Sequence, residues 1–263
     1  MNRRKFVSAS VLATVGATGS LAAAKGIVPE QAVSGEKELY ELREYELEFK
    51  ANPADLDTYF QLALMPALNR NGVKTVGAFR EIGKSEPAKV YLLIVYPTQE
   101  DFIRVPEALK ADMEFIKASA GYNSLPPEKA LFSRYNSSLL LAFDKIPNLV
   151  VPSKDNRLLE LRTYEGHNED AVTRKIGMFN KEEIALFYAV HLKPVFYGEM
   201  LAGSTMPCLT YMIAFKDMAE RDALWADFDS HPEWKRMSQA PEYANTVSRI
   251  IRIFLVPAPY SQI

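Results

Sequence analysis

The sequence predicts an α+β protein built from one β-α-β-β-α-β unit written twice, and three observations carry that prediction. The first is a recurring strand: Glu41, Leu42, Arg43, Tyr45 and Glu46 return as Glu160, Leu161, Arg162, Tyr164 and Glu165, each 119 positions later. The second is that the same offset lays the apolar run 90–96 over the apolar run 209–215. The third is that helical and strand spacings fall in the same order around both runs. A period this long marks a duplicated domain, because solenoid units are shorter. Two modules of about 110 residues also lie in the usual range of domain sizes.

In the first unit, residues 38–49 alternate polar and apolar as a strand does. Asn52-Pro53 supplies an N-cap and a proline at the first helical position. Leu56, Tyr59, Phe60, Ala63, Leu64, Ala67 and Leu68 follow on one helical face, with Pro66 expected to kink or end the helix. Strands are predicted at 74–82 and 90–96, a helix from Thr98 to about Ser119, and a last strand at 138–143. The second unit repeats the order: strand 158–165, helical sequence from Glu169 to about Leu192, strands 195–201 and 209–215, and a final strand 248–256. Gly177 and Asn180 are expected to break that long helical stretch. Asp217 with Glu220 reads as a capping pair, and His231-Pro232 as the start of a short helix bearing Trp234. Each unit thus reads as ferredoxin-like. A sheet with helices on one face leaves the other open, and two such sheets can cover one another. Strand alternation sends Leu42 and Leu161 one way and Arg43, Tyr45, Arg162 and Tyr164 the other. The leucines suit the helix side, which would place the arginines and tyrosines between the sheets or at the rim.

The 263 residues are 48% hydrophobic with a formal net charge of −2, which fits an ordinary globular protein. No clustered basic face suggests nucleic acid. Residues 1–24 read as an export signal: Arg3-Arg4-Lys5, a weakly apolar stretch, and Ala22-Ala23-Ala24 as a cleavage pattern. The paired arginines resemble a twin-arginine signal, which implies a folded passage across the bacterial inner membrane into the periplasm. Loss of Arg3, Arg4 and Lys5 would take the charge from −2 to −5. No other run reaches the roughly 20 apolar residues of a membrane span. The expected organisation is a signal at 1–24, an N-terminal segment at 25–37, a first unit at 38–147, a linker at 148–156, a second unit at 157–257 and a tail at 258–263. Cys208 stands alone and reads as a small core residue.

Tyr40-Glu41-Leu42-Arg43 with Tyr45, Leu159 through Tyr164, Val195-Phe196-Tyr197-Gly198-Glu199, Met206-Pro207 and His231-Pro232-Glu233-Trp234-Lys235 resemble NIPSNAP domains. The second unit matches over about residues 158–257, while the first is more degenerate and longer after its second helix. The resemblance implies a dimeric α/β barrel, here formed within one chain as a pseudo-dimer and open to further self-association. It implies no established reaction. That barrel superfamily also includes cofactor-free monooxygenases and haem enzymes, so the fold alone does not choose.

The chemical inventory is thin. His167, His191 and His231 are far apart, no metal-ligand spacing occurs, and phosphate-loop and nucleophile-elbow motifs are missing. His191 reads either as an acid, base or haem ligand or as a residue capping a helix C-terminus. Arg43 and Arg162 would either hold a small acidic ligand through their planar forks or pair with Glu41 and Glu160. Tyr45, Tyr164, Tyr188, Tyr197 and Tyr211 would line a ligand cavity or fill the barrel. The expected function is an exported small-molecule or protein-binding module with no cofactor and no assigned catalytic residue. The alternative is a cofactor-free monooxygenase-like or haem enzyme, which requires a deep cavity between the sheets where His191 or the tyrosines and arginines converge.

Overall fold

The computed structural model describes residues 36–49, 51–83 and 85–263. The segment read as an export signal and most of the N-terminal segment therefore lie outside the described residues. Eight strands form one closed antiparallel barrel: β1 (Leu39–Leu47), β2 (Thr75–Glu81), β3 (Lys89–Tyr96), β4 (Phe132–Ala142), β5 (Leu158–Glu165), β6 (Lys193–Ala202), β7 (Cys208–Phe215) and β8 (Arg249–Pro257). Around the barrel they run β1-β3-β2-β8-β5-β7-β6-β4. Each half therefore contributes the same internal order, β4-β1-β3-β2 and β8-β5-β7-β6.

The sheets do more than face each other, because their edges hydrogen-bond. β2 pairs with β8 through Phe79↔Pro257, Arg80↔Val256 and Glu81↔Leu255, and β4 pairs with β6 from Leu139↔Ala202 to Ala142↔Gly198. Closure removes the four exposed edges that two separate sheets would carry. One interior cluster draws on both halves: Tyr40, Leu42, Leu93, Leu140, Leu161, Phe196, Met212 and Leu255 are among its members. Cys208 belongs to it, and burial pushes its thiol up to about 11.

This packing reverses the expected facing of the strands. Leu42 and Leu161 point into the barrel, while Tyr45 and Tyr164 pack beneath the helices. The reason is the number of apolar rows to be covered. The interior receives inward rows from all eight strands and is filled by aliphatic and aromatic side chains, with a cavity of about 130 Å³ at one mouth. Among the described residues, this cavity is not the deep one that the enzyme alternative requires.

Gly198 sits on the β4–β6 seam, where an added Cβ would lie 2.7 Å from the Cβ of Leu140. Gly198→Ala should therefore lower stability by about 1–3 kcal/mol through overpacking, read as a lower denaturant midpoint. An unchanged midpoint would mean that the seam relaxes freely.

Both long helices contain a π turn at the repeat offset, Phe60–Leu64 in the first half and Phe179–Glu183 in the second. Helix 53–70 runs on to Arg70 and does not end at Pro66, because Met65 N–H bonds to Phe60 and the missing proline donor falls just beyond that wider turn. Helix 169–189 likewise passes Gly177 and Asn180 without a break. The stretch after β3 does break, into Asp101–Leu109, Met113–Ala118 and Ala120–Asn123, with Asp112 capping the second piece. Asp217 and His231 cap their helices by accepting from Glu220 N–H and Glu233 N–H. Among the described residues, no helix is long and apolar enough to cross a membrane.

Candidate functional site

The matching arginines lie beneath the helices of their own halves, so they do not meet in the barrel. On β1, Arg43 Nε and Nη2 donate to Glu41 Oε1 and Oε2 at 2.6 and 3.0 Å. Glu41 also accepts from the Tyr96 and Ser137 hydroxyls at 3.0 and 2.9 Å. This carboxylate is fully engaged and holds the guanidinium in a planar fork. The ring of Tyr135 lies 5.3 Å from Arg43, and burial pushes the Tyr45 phenol up to about 12 against the pull of Arg43.

On β5 the arrangement differs. Glu160 accepts from Arg221 Nε and Nη2 at 2.9 and 3.1 Å and from Trp225 Nε1 at 2.9 Å. Arg221 has taken the partner that Arg43 keeps in the first half. Arg162 is left 3.6 Å from Glu160, with its guanidinium 4.1 Å over Trp225 and its Nε without a hydrogen bond. Nearby, Lys175 Nζ donates to Glu183 at 2.6 Å with both side chains buried. Tyr211 donates to the Tyr164 hydroxyl at 2.8 Å and stacks on Tyr197 at 5.1 Å. The Tyr197 hydroxyl is buried and makes no hydrogen bond among the described residues. Burial pushes the Tyr164 phenol up to about 12 and raises the Glu183 carboxyl above its ordinary range.

The structure thus brings together Arg162, Tyr164, Tyr197 and Tyr211, and separately Arg43 and Tyr45. His191 joins neither group. It is exposed, at φ +63° on the turn after its helix, with its N–H bonded to the Tyr188 carbonyl. A haem ligated by His191 beside these tyrosines does not fit that placement. Among the described residues, no three His, Cys, Asp or Glu side chains form a metal-binding group. An acidic ligand held by the two arginines is also not what the geometry offers, since Glu41 occupies one guanidinium and Trp225 covers the other.

Sequence reasoning missed Lys175, Glu183 and Arg221, although the repeat itself holds the signal for the first two. At the 119-residue offset, Lys175, Glu183, Tyr197 and Tyr211 stand where the first half has Leu56, Leu64, Ala78 and Leu92. The registers agree, with Ala78↔Leu92 in one half and Tyr197↔Tyr211 in the other.

The first half is aliphatic at those positions but opens at the end of the same layer. Between helix 53–70 and the segment 118–131 lies a groove of about 950 Å³. Its walls include Tyr59 and Tyr122, stacked at 3.8 Å with 13° between their planes, together with Phe49, Leu62 and Leu125. Phe49 is 89% and Leu62 64% exposed, so both present apolar surface to whatever enters. Glu48, Asp55, Glu128 and Lys129 stand at the edge. The longer connection after the second helix, with the turn Pro127–Lys129, builds the outer wall. Behind it, Tyr45 packs against Phe60, Phe132 and Tyr135 at 5.0–5.3 Å.

The NIPSNAP family model matches residues 159–262. No curated protein matches the chain. Among solved structures, the chain is similar to a proposed monooxygenase from Lactobacillus acidophilus NCFM, with 11% identity over 84% of this chain and 94% of that one, at a TM-score of 0.56. It is similar to a mutant chlorite dismutase from Candidatus Nitrospira defluvii, with 6% identity over 88% and 95% and a TM-score of 0.51. At such identities the likeness is one of fold. An uncharacterised NIPSNAP-like domain protein from Burkholderia xenovorans is 20% identical over 41% of this chain and 90% of its own, at a TM-score of 0.37.

Proposed function

Residues 159–262 belong to the NIPSNAP family, and from that premise we propose that the chain is an exported binding protein whose ligand enters the groove of the first half. Each half is read as a ferredoxin-like unit, at 38–147 and 157–257, with the first a diverged copy of the second. The export reading rests on residues 1–24 and their paired arginines. The observation that carries the binding reading is the groove. Its volume lies in the range of small-molecule sites, and it combines apolar walls with a few polar groups. Among the described residues, the charged side chains lining it are three carboxylates, Glu48, Asp55 and Glu128, and one lysine, Lys129. That balance disfavours an anionic ligand and suits a neutral or cationic molecule with a flat apolar ring that extends the Tyr59–Tyr122 stack.

The test is a ligand-detected magnetic resonance screen of the signal-free chain with uncharged and cationic one- and two-ring fragments. Fragments should bind, and Tyr122→Ala should weaken them by about tenfold or more, the loss expected when a stacking partner is worth ~1.4 kcal/mol. No bound fragment, or equal binding by the variant, would remove the groove as the site.

A further inference from the structure

β4 is longer than the seam it closes. The strand runs Phe132–Ala142, but β6 covers its outer edge only along 139–142, where Ala202 ends the pairing. Along 132–138 the strand pairs on one side alone, with β1. The direction of its backbone groups there follows from two bonds at its far end. Ala142 N–H donates to the Glu38 carbonyl, and Phe143 N–H donates to the Tyr197 carbonyl. Even-numbered residues of β4 therefore turn their backbone groups to β1, and odd-numbered ones turn theirs to the outer edge. Tyr135 and Ser137 accordingly offer N–H and C=O where, among the described residues, no strand receives them. Residues 133–137 are all exposed, Tyr135 at 45%.

An open edge of this kind is a template for another strand, and proteins that stay apart blunt it with lysine, proline or a covering element. The run Phe132-Ser133-Arg134-Tyr135-Asn136-Ser137-Ser138 carries a single charge and no proline. It also suits a second copy of itself. Tyr135 is its midpoint, so a two-fold axis there lays 132–138 of one copy antiparallel along 132–138 of another. Each strand then stops where β6 of the other copy begins. Tyr135 meets the partner's Tyr135, and Ser137 meets the partner's Ser133. Arg134 faces the partner's Asn136 on both sides of the axis, so no like charges meet. A register shifted towards β6 collides with it, and one shifted away leaves Ser137 unpaired.

We propose that the free edge of β4 is a dimerisation site, at which a second copy of this chain pairs antiparallel about Tyr135. The contact is isologous, since each copy uses the same residues. Main-chain bonds from Tyr135 and Ser137 hold it, and the two Tyr135 rings form a cross-strand aromatic pair on the outer face. It does not depend on the groove having a ligand.

The experiment is analytical sedimentation of residues 25–263 over a range of concentrations, with two variants of Asn136. The wild type should show a reversible monomer–dimer equilibrium. Asn136→Glu should tighten it by about tenfold or more, because a carboxylate then meets Arg134 on each side of the axis, and Asn136→Arg should weaken it by as much. Folding should move the other way. Asn136 is directly opposite Glu44 on β1, so the arginine variant gains an ion pair within its own chain and the glutamate variant meets a like charge. Denaturant midpoints, read in dilute solution where the chain is monomeric, should rise for Asn136→Arg and fall for Asn136→Glu, which separates association from stability. A chain that stays monomeric at about 1 mM, a dimer that neither variant alters, or an affinity that moves in the same direction as stability would each overturn the proposal.

Discussion

Glu183→Leu alone should destabilise the protein by about 3–5 kcal/mol, whereas Lys175→Leu with Glu183→Leu together should leave stability unchanged or raise it by about 1–4 kcal/mol. The single variant removes the carboxylate that meets Lys175 Nζ at 2.6 Å and leaves a buried ammonium facing the rings of Phe179 and Trp234. The double variant restores what the first half has at the equivalent places, Leu56 and Leu64, both buried. The same sheet-and-helix frame with the same π turn therefore already accommodates two leucines there. The pair has a pH signature as well. Burial raises the Glu183 carboxyl above its ordinary value of 4.5, with Lys175 and Arg162 pulling it down. A carboxyl raised on folding binds its proton more tightly in the native state, so its contribution is full below the unfolded value and declines as pH rises through the folded one. The double variant should accordingly gain on the wild type as pH climbs from below 4.5 towards neutrality. Guanidinium titrations at several pH values read both effects. A double variant as unstable as the single one would show that the second half needs the charges for its fold.

Phe179→Ala should lower stability by about 3–5 kcal/mol. Phe179 is 0% exposed, opens the π turn, and has Tyr197, Tyr211, Phe143, Phe187 and Tyr164 within 5.3–6.2 Å between ring centroids. The side chains around it come from three strands, from Phe143 just past β4 and from its own helix, so they have little freedom to collapse into the space it leaves. A loss near 1 kcal/mol in chemical denaturation would mean that the cluster repacks around the lost ring.

The recurring strand, the succession of strands and helices along each half and the capping residues were legible in the sequence, because they rest on local periodicity and on a repeat that survives in Glu41–Glu46 and Glu160–Glu165. The facing of the strands was not. Alternation shows that Leu42 and Arg43 lie on opposite sides, but only tertiary closure decides which side becomes the interior. The polar first part of β4, Ser133 to Ser137, lies before the strand expected at 138–143 and is strand because it pairs with β1. The continuity of the long helices was hidden for a related reason: a π turn absorbs Pro66 in one half and passes Gly177 and Asn180 in the other, and it leaves no composition mark of its own. Of the candidate site, the tyrosines and arginines were visible as residues, but their partners were not. Arg221 and Trp225 come from a helix about 60 positions beyond Glu160, and nothing in their spacing points back to it. The groove was unreadable for the opposite reason, since it is framed by Leu62 on an ordinary helical stretch and by Tyr122 and Leu125, which lie beyond the helix expected to end near Ser119.

The measurement that bears most directly on the binding account is a crystal structure of residues 25–263 with the tightest-binding ring fragment. The account predicts the fragment against Tyr59 and Tyr122, between helix 53–70 and the segment 118–131. A fragment seated instead among Arg162, Tyr197 and Tyr211 in the second half, with the groove empty, would contradict it.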